Sequence, residues 1–115
     1  MLNLGTSVKV YLHREATDMR RSFEGLSYLA REVIQRDPLS GHLFMFFNRS
    51  RSSAKILYWD KSGYAIWYKQ LQRGTFSRPL KEELDYTELL CVLDGIEFEK
   101  MPRKQRFSID SPCSI

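Results

Sequence analysis

The stretch KILYWDKSGYAIWYK, residues 55–69, constrains the fold more than any other part of the chain. Two β-rich runs flank Lys61-Ser62-Gly63, and runs joined by so short a connection fold as a hairpin. A three-residue loop with Gly63 in the left-handed position is expected. Asp60 would then face Tyr64, Tyr58 would face Ile66, and Ile56 would face Tyr68. Side chains alternate along a strand, so Ile56, Tyr58, Ile66 and Tyr68 share one face in that register. Lys55, Leu57, Trp59, Ala65, Trp67 and Lys69 share the other. The first face is expected to be core. The second has two readings. Aromatic rings flanked by lysines stack on single-stranded bases, at roughly 1–3 kcal/mol per base. Alternatively a helix or a partner protein covers Trp59 and Trp67 while the lysine stems run outward.

The rest of the chain supplies what the hairpin packs against. VKVYL (8–12) alternates as a strand does. Phe23, Leu26, Ala30, Val33 and Ile34 recur at helical spacing and predict a long helix over about 18–36, capped by Thr17 or Asp18. Asp37-Pro38 ends it, because the residue before proline is driven out of helical space. HLFMFF (42–47) is a strand with large residues on both faces, which calls for cover on both sides. Together with 54–60 and 64–69 it forms an antiparallel meander. RGTFSRP (73–79) adds an edge strand that Pro79 stops. DYTELLCVLDGI gives a short helix, capped by Asp85 or Thr87 and stopped at Gly95. The expected fold is α+β: an antiparallel β-meander packed against one long helix, with a short second helix. Residues 1–97 are expected to form a single domain, and 98–115 a flexible, mildly basic tail.

Charge is unevenly placed. Residues 41–81 hold eight Lys and Arg against Asp60 alone, whereas 82–100 hold seven acids against Lys100. A basic middle beside an acidic segment points to a surface facing a polyanion and a separate acidic surface. The loop Asn48-Arg49-Ser50-Arg51-Ser52-Ser53 joins two strands at a sheet end and offers arginines and hydroxyls to phosphate oxygens. Arg20 and Arg21 add a second basic point.

Catalytic and metal chemistry is poorly represented. Asp60 and Glu97 stand at a spacing like that of the last two carboxylates of a DDE nuclease, yet Asp60 falls at a hairpin turn, where aspartate serves local bonding. No Ser-His-Asp set, phosphate-binding glycine loop or Cys-His pair is evident, so neither an enzyme nor a cofactor is expected. Cys91 and Cys113, with His13 and His42, lack zinc-site spacing and suggest a buried thiol and a tail thiol. No apolar run is long enough to span a membrane and no signal sequence is evident, which predicts a cytoplasmic location.

The phrases TDMRRSFEGL, DPLSGHLFMFFNRSRS, KILYWDKSGYAIWYKQLQRGTF and LLCVLDGI, in this order, closely resemble the second open reading frame product of the IS66 insertion-sequence family. These are small TnpB-type accessory proteins of bacterial transposons. The resemblance covers roughly residues 8–97. It implies a role beside a separate, larger DDE transposase, with transposon ends or DNA in general, the transposase and a second subunit as partners. Matching positions that can act are Asp18, Met19 and Arg20 in the TDMR motif, and Asn48 and Arg49 in the basic loop. In the hairpin they are Lys55, Trp59, Tyr68 and Lys69, and in the RGxF motif Arg73, Gly74 and Phe76. The sequence departs from the pattern at Ser22, where glycine is usual, and at Phe47 and the serines at 50, 52 and 53, which dilute a loop that is usually more basic. The expected phosphate contacts are Arg20, Arg21, Arg49, Arg51, Lys55, Lys69 and Arg73. The expected partner surface is the Trp59/Trp67 face.

Overall fold

The computed structural model describes residues 8–79, 81–94 and the backbone of 96–97. The tail expected at 98–115 lies outside the described residues. Five strands form one sheet in the order β4-β3-β2-β1-β6: β1 (Val10–Leu12), β2 (Leu43–Phe47), β3 (Ser53–Asp60), β4 (Gly63–Gln70) and β6 (Glu83–Leu84). A second, two-stranded sheet pairs β5 (Thr75–Phe76) with β7 (Ile96–Glu97). The fold is α+β, as expected, but the large sheet is mixed. β2, β3 and β4 form the antiparallel meander, whereas β1 pairs parallel to β2, with Val10 opposite Leu43. Parallel neighbours need a long crossover, and the helical segment between β1 and β2 supplies it. On its other side β1 takes β6 antiparallel, Val10 opposite Leu84, a strand too short to announce itself in sequence.

The expected long helix is shorter. α1 (Phe23–Leu29) continues directly into a π-helical turn, Ala30–Ile34. Ser22 stands at its N-cap without a side-chain cap bond, and Asp18 is occupied elsewhere. Gln35 ends it in the left-handed conformation (φ 63°), and the Arg36 amide donates to the Ala30 carbonyl at 3.1 Å. The wider π turn rotates the residues after it away from the phase of a regular helix. Leu26 and Ala30 are therefore fully buried while Val33, in phase on a regular wheel, is exposed. Phe23 is exposed as well.

Two apolar layers sandwich β2, whose five residues are all buried. Phe44 and Phe46 face α1, joining Leu26, Ala30 and Leu57. Leu43, Met45 and Phe47 face the opposite way, joining Ile56, Phe76 and Leu89, Val92 and Leu93 of α2 (Tyr86–Asp94). α2 begins as its sequence indicates. The Glu88 amide donates to Asp85 Oδ1 at 2.8 Å and the Asp85 amide donates to Glu88 Oε1 at 3.0 Å, a reciprocal capping box. Cys91, in α2, is not a free thiol, contrary to expectation. Gly95 and Cys113 lie outside the described residues.

The hairpin differs from its expected register by one residue. Asp60 pairs with Gly63, and the loop is Lys61-Ser62 with Lys61 left-handed (φ 58°). Gly63 is simply the first residue of β4. A one-residue slip turns over every side chain of β4 relative to β3. Ile56 therefore pairs with Trp67 and lies on the α2 side, while Trp59 pairs with Tyr64 on the α1 side with Leu57. The two tryptophans are on opposite faces of the sheet. The helix α1 covers the Leu57 face, not the Ile56/Tyr58 face.

Phe44→Ala should lower stability by about 3–5 kcal/mol, since it empties a fully buried site between α1 and the sheet. Gln35→Gly should raise it by up to about 1 kcal/mol by relieving the left-handed backbone. Urea denaturation of the two variants measures both.

Candidate nucleic-acid interface

Strand directions decide where the basic residues go. β1 and β2 are parallel, so the connections following them leave from one edge of the sheet. β3 begins, and β4 ends, at that edge, because Ser53 pairs with Gln70. β6 runs antiparallel to β1, so the segment entering it arrives there too. Arg14, Arg49, Arg51, Lys69, Arg73, Arg78 and Lys81 are thus gathered at one edge. Lys61 sits at the opposite one, beside Asp60.

The loop 48–52 is tightly built. Asn48 closes it, accepting from the Ser53 amide on Oδ1 at 3.0 Å and donating from Nδ2 to Ser52 Oγ at 3.0 Å. Ser50 and Ser52 hydroxyls meet at 2.9 Å. Arg51 adopts φ 58° and docks on β5: the Phe76 amide donates to its carbonyl at 2.8 Å, and its own Nε donates to the Phe76 carbonyl at 3.3 Å. Phe76 is fully buried against Phe47 at a 5.8 Å ring separation, and Gly74 (φ 80°) makes the turn before it. In the RGxF motif, glycine and phenylalanine therefore hold the loop and only Arg73 is left exposed.

Arg49 and Arg51 line a crevice of about 770 Å³ with Arg14, Arg78 and Lys81, and with Glu15 and Glu82 as its acids. The sequence reading missed Arg14, Arg78 and Lys81 as site residues, because only the sheet brings residues 13–16, 78–79 and 81–82 beside the 48–51 loop. The crevice also touches His13, a buried residue packed on Phe46 with ring centroids 5.7 Å apart. Burial pushes its pKa below the ordinary value of 6.5; Glu15 pulls it back up and Arg21 pushes it further down.

The remaining expected residues fare differently. Lys55 is buried, and its Nζ donates to the carbonyls of Met19 (2.7 Å) and Arg21 (2.8 Å) while lying 4.7 Å from the Tyr68 ring centre. It is no surface phosphate contact: a buried ammonium persists only when its hydrogens are satisfied, and these carbonyls do that. The TDMR motif is the other half of this clasp. The Thr17 amide donates to the Phe47 carbonyl at 2.8 Å, and Met19 packs under α1. Asp18 accepts from the Arg20 amide at 2.9 Å and from its guanidinium at 2.7–3.1 Å. That guanidinium lowers the Asp18 pKa to about 2. Arg20 is exposed but already paired. The stem of Arg21 crosses Gly25, where an added Cβ would come within 3.2 Å of it. Lys69 and Arg73 are exposed on the flank of the basic edge, outside the crevice. Trp59 and Trp67 cannot form one docking face, because they point to opposite sides of the sheet. Trp59 packs edge-on against Tyr64 at 5.2 Å, and Trp67 packs on the α2-side core.

Among the described residues no group of three or more His, Cys, Asp and Glu is placed to hold a metal ion. No helix among them is long and apolar enough to cross a membrane. The small sheet exposes a cationic edge, carried by loops whose other residues hold them in shape. The model of the IS66 Orf2-like proteins matches residues 8–103, and the chain belongs to that family. Membership implies an accessory role in transposition. Two proteins of Sinorhizobium fredii (strain NBRC 101917 / NGR234), both described as uncharacterised, are similar along nearly their whole length. The one named y4hO is 35% identical over 102 residues, covering 85% of this chain and 89% of its own. The one named y4jC is 24% identical over 108 residues, covering 90% and 92%. No solved structure matches the chain.

Lys55→Met should cost about 1–3 kcal/mol in urea denaturation, since two part-buried carbonyls lose their donor. His13 supplies a pH signature. Its folded pKa is lowered, so the unfolded chain takes up the proton first on acidification. Its share of stability is complete above pH 6.5 and is lost as pH falls through the depressed value. The melting temperature should drop between pH 7.5 and 5, and His13→Gln should flatten part of that drop.

Proposed function

We propose that this protein is a non-catalytic accessory factor of transposition that holds DNA by its phosphates and assists a separate DDE transposase encoded by the same element. One observation carries the reading: strand directions deliver Arg49, Arg51, Lys69, Arg73 and Arg78 to a single edge of the sheet. Their long, mostly exposed side chains suit phosphate oxygens. The described part of that edge presents no element shaped to enter a major groove, so binding carries little base specificity. Arg20 contributes weakly because Asp18 competes for its guanidinium, and Lys55 acts by shaping the 17–21 segment. The transposase is the protein partner that the family's accessory role implies.

Fluorescence anisotropy with a labelled element end and a scrambled duplex, titrated across salt concentration, tests this. Binding should fall steeply with salt and differ little between the two duplexes. Arg49→Ala and Arg73→Ala, both at exposed positions, should each flatten the log–log salt slope by about 1. Absence of binding at low salt, with transposase binding that persists in both variants, would instead identify a protein-interaction module without DNA contact.

A further inference from the structure

The basic edge is not a flat stripe. Its crevice of about 770 Å³ lies within the roughly 300–1,000 Å³ of pockets that take a discrete ligand, whereas tracking a duplex backbone needs only an open surface. We propose that this crevice takes the terminal phosphate of a DNA strand end, together with its nucleotide. The inference rests on the phosphate-binding reading above and narrows it to one kind of DNA feature.

Ion pairing sorts the lining cations. Arg14 is matched by Glu82 at 2.8 Å, and Lys81 is matched by Glu88. No ion pair among the described residues engages Arg49, Arg51 or Arg78. Against them stands Glu15, so the lining groups outside those two ion pairs sum to a net charge of +2. A phosphomonoester carries about −1.5 to −2 near neutral pH and presents three oxygens, while an internal phosphodiester carries a single charge. Three guanidiniums around a single pocket match the monoester, since each can grip two of its oxygens through parallel N–H donors. Arg51 is pre-positioned for this. Its Nε is spent on the Phe76 carbonyl, which anchors the planar group and leaves its terminal nitrogens for a ligand. Leu12 and Pro79 add apolar wall for the sugar or base. The crevice opens beyond the carboxyl ends of the parallel strands β1 and β2, which its 12–16 and 47–51 lining residues follow.

The full chain is titrated at fixed salt against a covalently closed dumbbell duplex. The same duplex is then used open, with 5′-phosphate, 3′-phosphate or hydroxyl termini. A phosphorylated open form should bind at least tenfold tighter than the dumbbell. Arg78→Ala should abolish that preference while weakening dumbbell binding only as the loss of one cation from the edge does, with circular dichroism confirming the fold, and Arg78→Gln serves as a second variant should the first misfold. Equal affinity for all four DNAs would overturn the strand-end inference and leave the general phosphate reading standing. Binding to none would overturn both. Competition by free deoxynucleoside monophosphate as strong as that of a phosphorylated end would also overturn it, since the occupant would then be a free nucleotide.

Discussion

The parallel pairing of β1 with β2 is the constraint on which the rest of the molecule depends. Parallel strands cannot be joined by a turn, so the chain between them must travel the length of the sheet and return. It does so through α1, which covers Phe44, Phe46 and Leu57 on the way. The same parallelism sends the connections after β1 and β2 out of one edge, side by side. Because β6 joins β1 antiparallel, Lys81 and Glu82, which lead into it, meet them there. Arginines from three distant parts of the sequence become neighbours through hydrogen-bond direction alone.

Once gathered, those charges are divided between structure and surface. Lys55 is buried, and the carbonyls of Met19 and Arg21 offset the desolvation of its ammonium. In return it fixes the strand-to-helix connection, which the Thr17 amide also ties to β2 through the Phe47 carbonyl. Arg51 has both roles, tied to β5 by its backbone and Nε while it also lines the crevice. The acidic segment that follows is not a separate surface throughout: Glu82, Glu83 and Glu88 pair with Arg14, Lys9 and Lys81. It trims the basic edge, leaving Arg49, Arg51, Lys69, Arg73 and Arg78 without an ion pair among the described residues.

Much of this was legible in local pattern. The β-rich runs, the Asp85 cap (one of two candidates, with Thr87) and the doubly buried β2 follow from alternation, capping chemistry and residue size. The basic loop was legible too, since Asn48 to Ser53 combine turn formers with arginines. The hairpin register was not, because Lys61 takes a left-handed conformation that glycine would adopt more cheaply, and Gly63 drew the expected turn one residue late. That single slip moved Trp67 to the other side of the sheet. The π turn was hidden for a similar reason: a wheel drawn at 3.6 residues per turn cannot foresee one added residue, and it left Val33 exposed.

By itself the sequence determined the longer strands, the two helical segments, the α+β class, the family and the presence of a cationic region, all of which depend on neighbours a few positions apart. Only the tertiary structure decided which cations face outward. Whether Lys55 binds a phosphate or two backbone carbonyls, and whether Arg14 and Arg78 share a crevice with Arg49, depends on strand direction and register. Those are set by long-range pairing and by burial on both faces of β2, and no local window of sequence contains them.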